Sequence, residues 1–219
     1  MRRISLLLTL GTTMVLTVVF VGVARAQDQG AMAQLQDASG NSIGTARFTE
    51  NPGGGVNITL QAQGLEPGEH GIHIHEKGDC SSSDFKSAGE HLNPTNAKHG
   101  LENPEGPHAG DLPDLTVNQD GSASYAATND LLTLSEGKGA LLRSGGTALV
   151  IHADPDDQMS DPSGKSGDRV ACGVIERSAP LPSSGGVSVS LLAYVALIGL
   201  VGAAGAMILL WRIAARTIE

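Results

Sequence analysis

Seven histidines and a scatter of carboxylates are the residues here that could do chemistry, and their spacing limits what that chemistry is. His73-Ile74-His75 lies in a short β-prone run, where side chains two apart project from the same face of a strand, so both imidazoles can reach one metal ion. Taken alone, the pair is weak evidence and reads more readily as two satisfied histidines on a strand surface. His91, His99, His108 and Asp111 follow within one loop-like stretch, and His152 closes a later β-prone run that can return an imidazole to the same point. Imidazole nitrogen suits Cu(II), and three histidines with one carboxylate suit tetrahedral zinc. These seven candidate ligands exceed what one first-row ion takes, so two neighbouring sites are the economical arrangement.

The elements that must position them are strands. From Ala31 to Ile175 no long stretch has helical period. Short β-prone runs span Ile43 to Glu50, Val56 to Gln63, Gly71 to His75, Ala123 to Thr128, Thr147 to His152 and Ala171 to Ile175, separated by turns such as Asn51-Pro52-Gly53 and Asp120-Gly121. The pattern is all-β, an antiparallel sandwich or barrel. Two polar stretches, Glu76 to Leu112 and Ala153 to Asp168, are too long for ordinary turns, and loops of that length in a compact domain are functional or disordered. The first is bordered or occupied by six of the seven histidines, and His152 opens the second. Only 3% of residues are aromatic, so the core has to be built from Val, Ile, Leu and Ala, and a covalent or metal staple is expected to supplement it.

The motifs Gly71-Ile72-His73-Ile74-His75-Glu76-Lys77-Gly78-Asp79-Cys80, Ser87-Ala88-Gly89-Glu90-His91-Leu92-Asn93-Pro94, Lys98-His99-Gly100 and Pro107-His108-Ala109-Gly110-Asp111-Leu112-Pro113 closely resemble copper/zinc superoxide dismutase. Downstream, Ala148-Leu149-Val150-Ile151-His152, Asp156-Asp157 and Asp168-Arg169-Val170-Ala171-Cys172-Gly173 continue the resemblance in family order. It implies an eight-stranded Greek-key β-barrel or sandwich with two long functional loops. It also implies a copper site of His73, His75, His91 and His152, and a zinc site of His91, His99, His108 and Asp111, with His91 bridging. Asp156 would accept hydrogen bonds from one histidine of each site. Arg169 would guide the anion, Lys165 is a weaker candidate for the same task, and His70 would be structural. Cys80 and Cys172 would form the intrachain disulfide, two unpaired thiols being the alternative. The implied reaction is disproportionation of superoxide with Cu and Zn as cofactors. The alternative is an exported copper/zinc-binding or partner-binding ectodomain without turnover.

The ends give the address. Residues 1–26 begin with Arg2 and Arg3, continue apolar and close with Ala24-Arg25-Ala26, the pattern of a cleaved secretory signal peptide, an uncleaved anchor being the alternative. Residues 187–211 carry no charge and precede Arg212 and Arg216 in the basic tail 212–219, which reads as a transmembrane helix with that tail in the cytoplasm. The linker 178–186 contains Leu181-Pro182-Ser183-Ser184-Gly185, which looks like a sortase sorting signal with Ser184 where threonine is usual; a plain tether is the other reading. The expectation is therefore an extracytoplasmic domain, residues 27–177, held at the cell membrane or wall. A homodimer is compatible with the sequence.

Charge excludes one class of partner. Between residues 27 and 186, nine basic face 22 acidic side chains, a net of −13, so no positive footprint for nucleic acid exists.

Overall fold

The computed structural model describes residues 30–178. The signal peptide, sortase-like motif, transmembrane helix and basic tail expected from the sequence lie outside the described residues. Among the described residues, nine strands form: β1 Ala31–Asp37, β2 Ser42–Glu50, β3 Val56–Ala62, β4 Gly68–His70, β5 Ile72–His75, β6 Leu115–Val117, β7 Ala123–Asn129, β8 Ala148–His152 and β9 Arg169–Arg177. All ladders are antiparallel. Seven strands make one sheet in the order β5-β8-β9-β1-β2-β3-β7, and β4 pairs with β6.

The expected count was eight, and the ninth strand comes from a single break. At Gly71 the chain leaves the ladder: its N–H donates to the Asp154 carbonyl and its own carbonyl accepts from His152 N–H. One run thus becomes β4, paired with β6, and β5, paired with β8. Counted as one bent strand, β4/β5 restores eight. It also curls the sheet towards closure, because β6 turns directly into β7 through an Asn118 N–H to Ser122 carbonyl bond of 2.8 Å. Successive β4/β5, β6 and β7 lie side by side while β3 neighbours β7, so the link from β3 to β4 crosses over them, a Greek-key connection.

Alternation explains which face goes inward. In β5, Ile72 and Ile74 enter the main core with Leu35, Phe48, Ile58, Leu60 and Leu149, while His73 and His75 point to the other face. That outer face is buried as well, because the stretch from Glu76 to Leu112 folds back over β5 and β8: Leu92 N–H donates to Ile74 O, and Ile74 N–H to Gly110 O. Beneath this loop a smaller cluster of Phe85, Ala88, Ala148, Val150 and Cys172 forms, and the Cys80–Cys172 disulfide closes its edge across a sequence separation of 92. The loop is thereby fixed to β9.

Candidate metal centre

Each candidate ligand is aimed by a backbone feature nearby. His73 and His75 face outward from β5. His152 ends β8 at a register shift between Ile151 and His152, and such irregularities re-aim side chains. Isolated bridges join His75 to His91 and His73 to Asp111, drawing the loop ligands over the strand ligands. All seven are buried; His73, His75 and His99 have no exposed surface.

Hydrogen bonds fix which ring nitrogen carries a proton, since a carbonyl or carboxylate partner can only accept. His73 Nε2 donates to Asp156 Oδ2 at 2.6 Å, and His75 Nδ1 donates to Gly89 O at 2.9 Å. His152 Nδ1 faces Gly167 O at a longer 3.4 Å. The opposite nitrogens, His73 Nδ1, His75 Nε2 and His152 Nε2, together with His91 Nε2, are buried with no hydrogen-bond partner. Ligand atoms of these four residues lie within 4.8 Å of one another. Four unpartnered lone pairs converging in a dry site are costly unless a cation takes them.

A second convergence lies on the other side of His91. Asp111 Oδ1 sits 3.0 Å from His91 Nδ1, 3.0 Å from His99 Nδ1 and 3.4 Å from His108 Nδ1. Its Oδ2 accepts the backbone N–H groups of Gly100 and His108. Ligand atoms of His73, His91, His99 and Asp111 also lie within 4.8 Å of one another. His73 belongs to the first cluster by its chemistry, because its Nε2 is already committed to Asp156 and its Nδ1 is the unpartnered atom. His108, whose Nδ1 is 3.5 Å from His91 Nδ1, completes the second. His91 is shared, one nitrogen facing each way. Asp156 spans the two clusters, with Oδ2 on His73 and Oδ1 on His99 Nε2 at 3.0 Å.

The electrostatics follow. Burial, reinforced by neighbouring imidazoles, lowers His73 to about 4, His152 to about 4 and His91 to about 3, and takes His75 well below its ordinary value. All four imidazoles are neutral at pH 7, the form in which a histidine can donate a lone pair to a cation. Burial would raise Asp111, but hydrogen bonds from His108, His91 and His99 outweigh it and keep the carboxylate ionised. Burial likewise opposes charge on His99, yet Asp111 and Asp156 at its two nitrogens raise it to about 9. A proton held there between two carboxylates is one that a divalent cation displaces.

Arg169 lies at the start of β9 and lines a cleft of about 460 Å³ with Ser83, Asp84, Lys86, Glu90, Gly167 and Asp168. Its guanidinium donates to Phe85 O at 2.8 Å and Gly89 O at 2.7 Å. Gly89 O also accepts from His75, so one carbonyl ties the arginine to a ligand of the first cluster. Lys165 pairs instead with Asp157 at 3.1 Å, and the lysine that lines the cleft is Lys86. The ring nitrogens of His70 face the carbonyls of His152 and Glu66, to which a ring N–H donates, away from both clusters.

Sequence reasoning did not single out Gly164 or Lys86. Gly164 has φ of 59°, and a Cβ there would overlap the Asp156 carboxylate and press on His99 Nε2, so this glycine makes room for the bridge between clusters. Its only sequence signal was a turn, Pro162-Ser163-Gly164. Lys86 carries no signal, because a lysine beside an aspartate is ordinarily solvated surface.

Comparison with known proteins gives the same picture. The family model described as copper/zinc superoxide dismutase matches residues 42–175. The chain is 47% identical over 161 residues to "Superoxide dismutase [Cu-Zn] 2" of Aquifex aeolicus, covering 73% of this chain and 94% of that protein. It is 43% identical to "Superoxide dismutase [Cu-Zn]" of Caulobacter vibrioides, covering 67% and 85%. Among solved structures, a SOD-like protein from Bacillus subtilis aligns at TM-score 0.63 and 40% identity, covering 65% of this chain and 96% of that one.

Proposed function

The chain belongs to the copper/zinc superoxide dismutase family, and from that premise we propose that it disproportionates superoxide outside the cytoplasmic membrane, tethered to membrane or wall. His73, His75, His91 and His152 would hold copper, and His91, His99, His108 and Asp111 would hold zinc. The observation that carries this reading is the set of four buried, unpartnered nitrogens on the copper side. Copper when bound alternates between Cu(II) and Cu(I), which lets two superoxide anions and two protons become O₂ and H₂O₂.

The protein's own part is placement, charge and protons. Arg169 offers a half-buried guanidinium beside the copper cluster, a positive charge for an anion to approach. Asp156 and Gly89 O hold the N–H of His73 and His75 outward, so that both present lone pairs inward. His91 keeps Nδ1 towards Asp111 and Nε2 towards the copper cluster, and Nε2 is the atom that takes up a proton and passes it to reduced oxygen.

Export is supported by the order of apolar start, globular body, apolar segment and basic tail, and by the Cys80–Cys172 disulfide, which persists in oxidising compartments. The test of function is metal analysis and pulse-radiolysis dismutation on the purified full chain. About one copper and one zinc with superoxide turnover supports the proposal; copper and zinc bound without turnover would leave a metal-binding ectodomain.

A further inference from the structure

The cleft that leads past Arg169 carries more negative than positive charge. Asp84, Glu90 and Asp168 line it against Lys86 and Arg169. Lys86 is already met by Asp84, its Nζ 3.0 Å from Oδ2. Arg169 is anchored on two carbonyls and faces Glu90 across the cleft, and of the cleft's carboxylates Glu90 acts on it most strongly, ahead of Asp84. Glu90 is also the residue before His91, and its backbone carbonyl accepts Glu76 N–H at 2.9 Å, which fixes the base of the side chain at this rim. The side chain itself is exposed. The walls of the cleft are the segments that hold the copper-side ligands: Gly167 O faces His152 Nδ1, and Gly89 O accepts from His75 Nδ1.

Resting on the dismutase reading above, we propose that Glu90 is a charge filter at the mouth of the copper site, a fixed negative group that opposes Arg169 and limits how fast and how tightly anions reach the metal. Glu90 is thus a specificity-determining residue: it disfavours anionic ligands and substrates while leaving neutral ones untouched. A unit charge within about 10 Å of the anion's path in a water-filled cleft alters anion occupancy by about two- to threefold. Being exposed, it is screened, and its influence fades at about 1 M salt, where the Debye length is about 3 Å.

The experiment is optical titration of the copper-loaded full chain with azide, a small anion, at low and high ionic strength, with kcat/KM for superoxide measured alongside. Glu90→Gln should tighten azide about two- to threefold at low salt, and Glu90→Lys about fivefold, with both gains lost in about 1 M salt. Glu136→Gln removes the same charge from an exposed residue that does not line the cleft and should leave azide affinity unchanged. Unaltered azide affinity in both Glu90 variants, or an equal gain in Glu136→Gln, would overturn the filter while leaving the dismutase reading standing. A parent protein that takes up no copper would overturn both.

Discussion

At the residue scale the clustered side chains were legible, Asp156 among them through the family resemblance, while the glycine that makes room for that carboxylate was not. His73, His75, His91, His99, His108, Asp111 and His152 stand out because imidazoles are scarce elsewhere in this chain and because a two-residue spacing on a strand puts both on one face. Gly164 was invisible, because its role is to be absent: no local pattern says that a turn 8 residues after Asp156 must leave room for that carboxylate. The bridge it accommodates is testable. Asp156→Asn should lower zinc affinity about 10- to 100-fold, because one amide cannot accept from both His73 and His99. Gly164→Ala should produce a similar loss without touching any hydrogen-bonding group. Competition with a chromophoric chelator reads both, and wild-type zinc affinity in Asp156→Asn would dismiss the orienting role.

At the scale of elements, strands carrying β-branched or aromatic residues were legible, and very short or helix-prone ones were not. β2, β3 and β8 lie within a residue or two of runs containing Ile, Val or Thr, and β7 within one residue of a run carrying Tyr125 and Thr128. β1, Ala-Met-Ala-Gln-Leu-Gln-Asp, escaped because its residues favour helix; its burial alternates strictly, Ala31, Ala33 and Leu35 inward, and sheet partners on both sides override propensity. β4 and β6 have three residues each, too few to show any period. The loop over β5 depends on its staple. The disulfide spans a sequence separation of 92, for which the chain-entropy model gives about 4 to 5 kcal/mol. Cys80→Ser/Cys172→Ser should lower the stability of the metal-free protein by that order in urea titration. Because Phe85 O and Gly89 O on the stapled loop hold Arg169, the same variant should also lose anion affinity at the copper site. A stability change below about 1 kcal/mol would show that loop packing alone suffices.

At the scale of the whole molecule, buried neutral imidazoles make stability depend on pH. In the unfolded chain the four copper-side histidines titrate near 6.5. In the folded one, burial holds His73 and His152 at about 4, His91 at about 3 and His75 well below its ordinary value. Below about pH 6.5 the unfolded state therefore binds protons that the native state refuses, and stability of the metal-free protein falls as pH drops from 6.5 towards 4. Thermal unfolding followed by circular dichroism should show a lower midpoint at about pH 5 than at about pH 7; an unchanged or higher midpoint would contradict the buried neutral set. The address proposed for the molecule is checked by mass spectrometry of the native protein: a chain ending at Ser184 and joined to wall peptide indicates sortase, an intact 187–211 segment in the membrane fraction indicates a helical anchor, and a mostly cytoplasmic protein would rule out both. The central claim, that two adjacent metal sites share His91 and only the copper side performs the chemistry, is tested most directly by His152→Ala. His152 contributes an unpartnered Nε2 to the copper cluster and nothing to the group around Asp111. Metal analysis with pulse radiolysis on the parent and the variant should find copper and dismutation both lost while about one zinc per chain remains; loss of zinc with copper and activity retained would contradict the assignment.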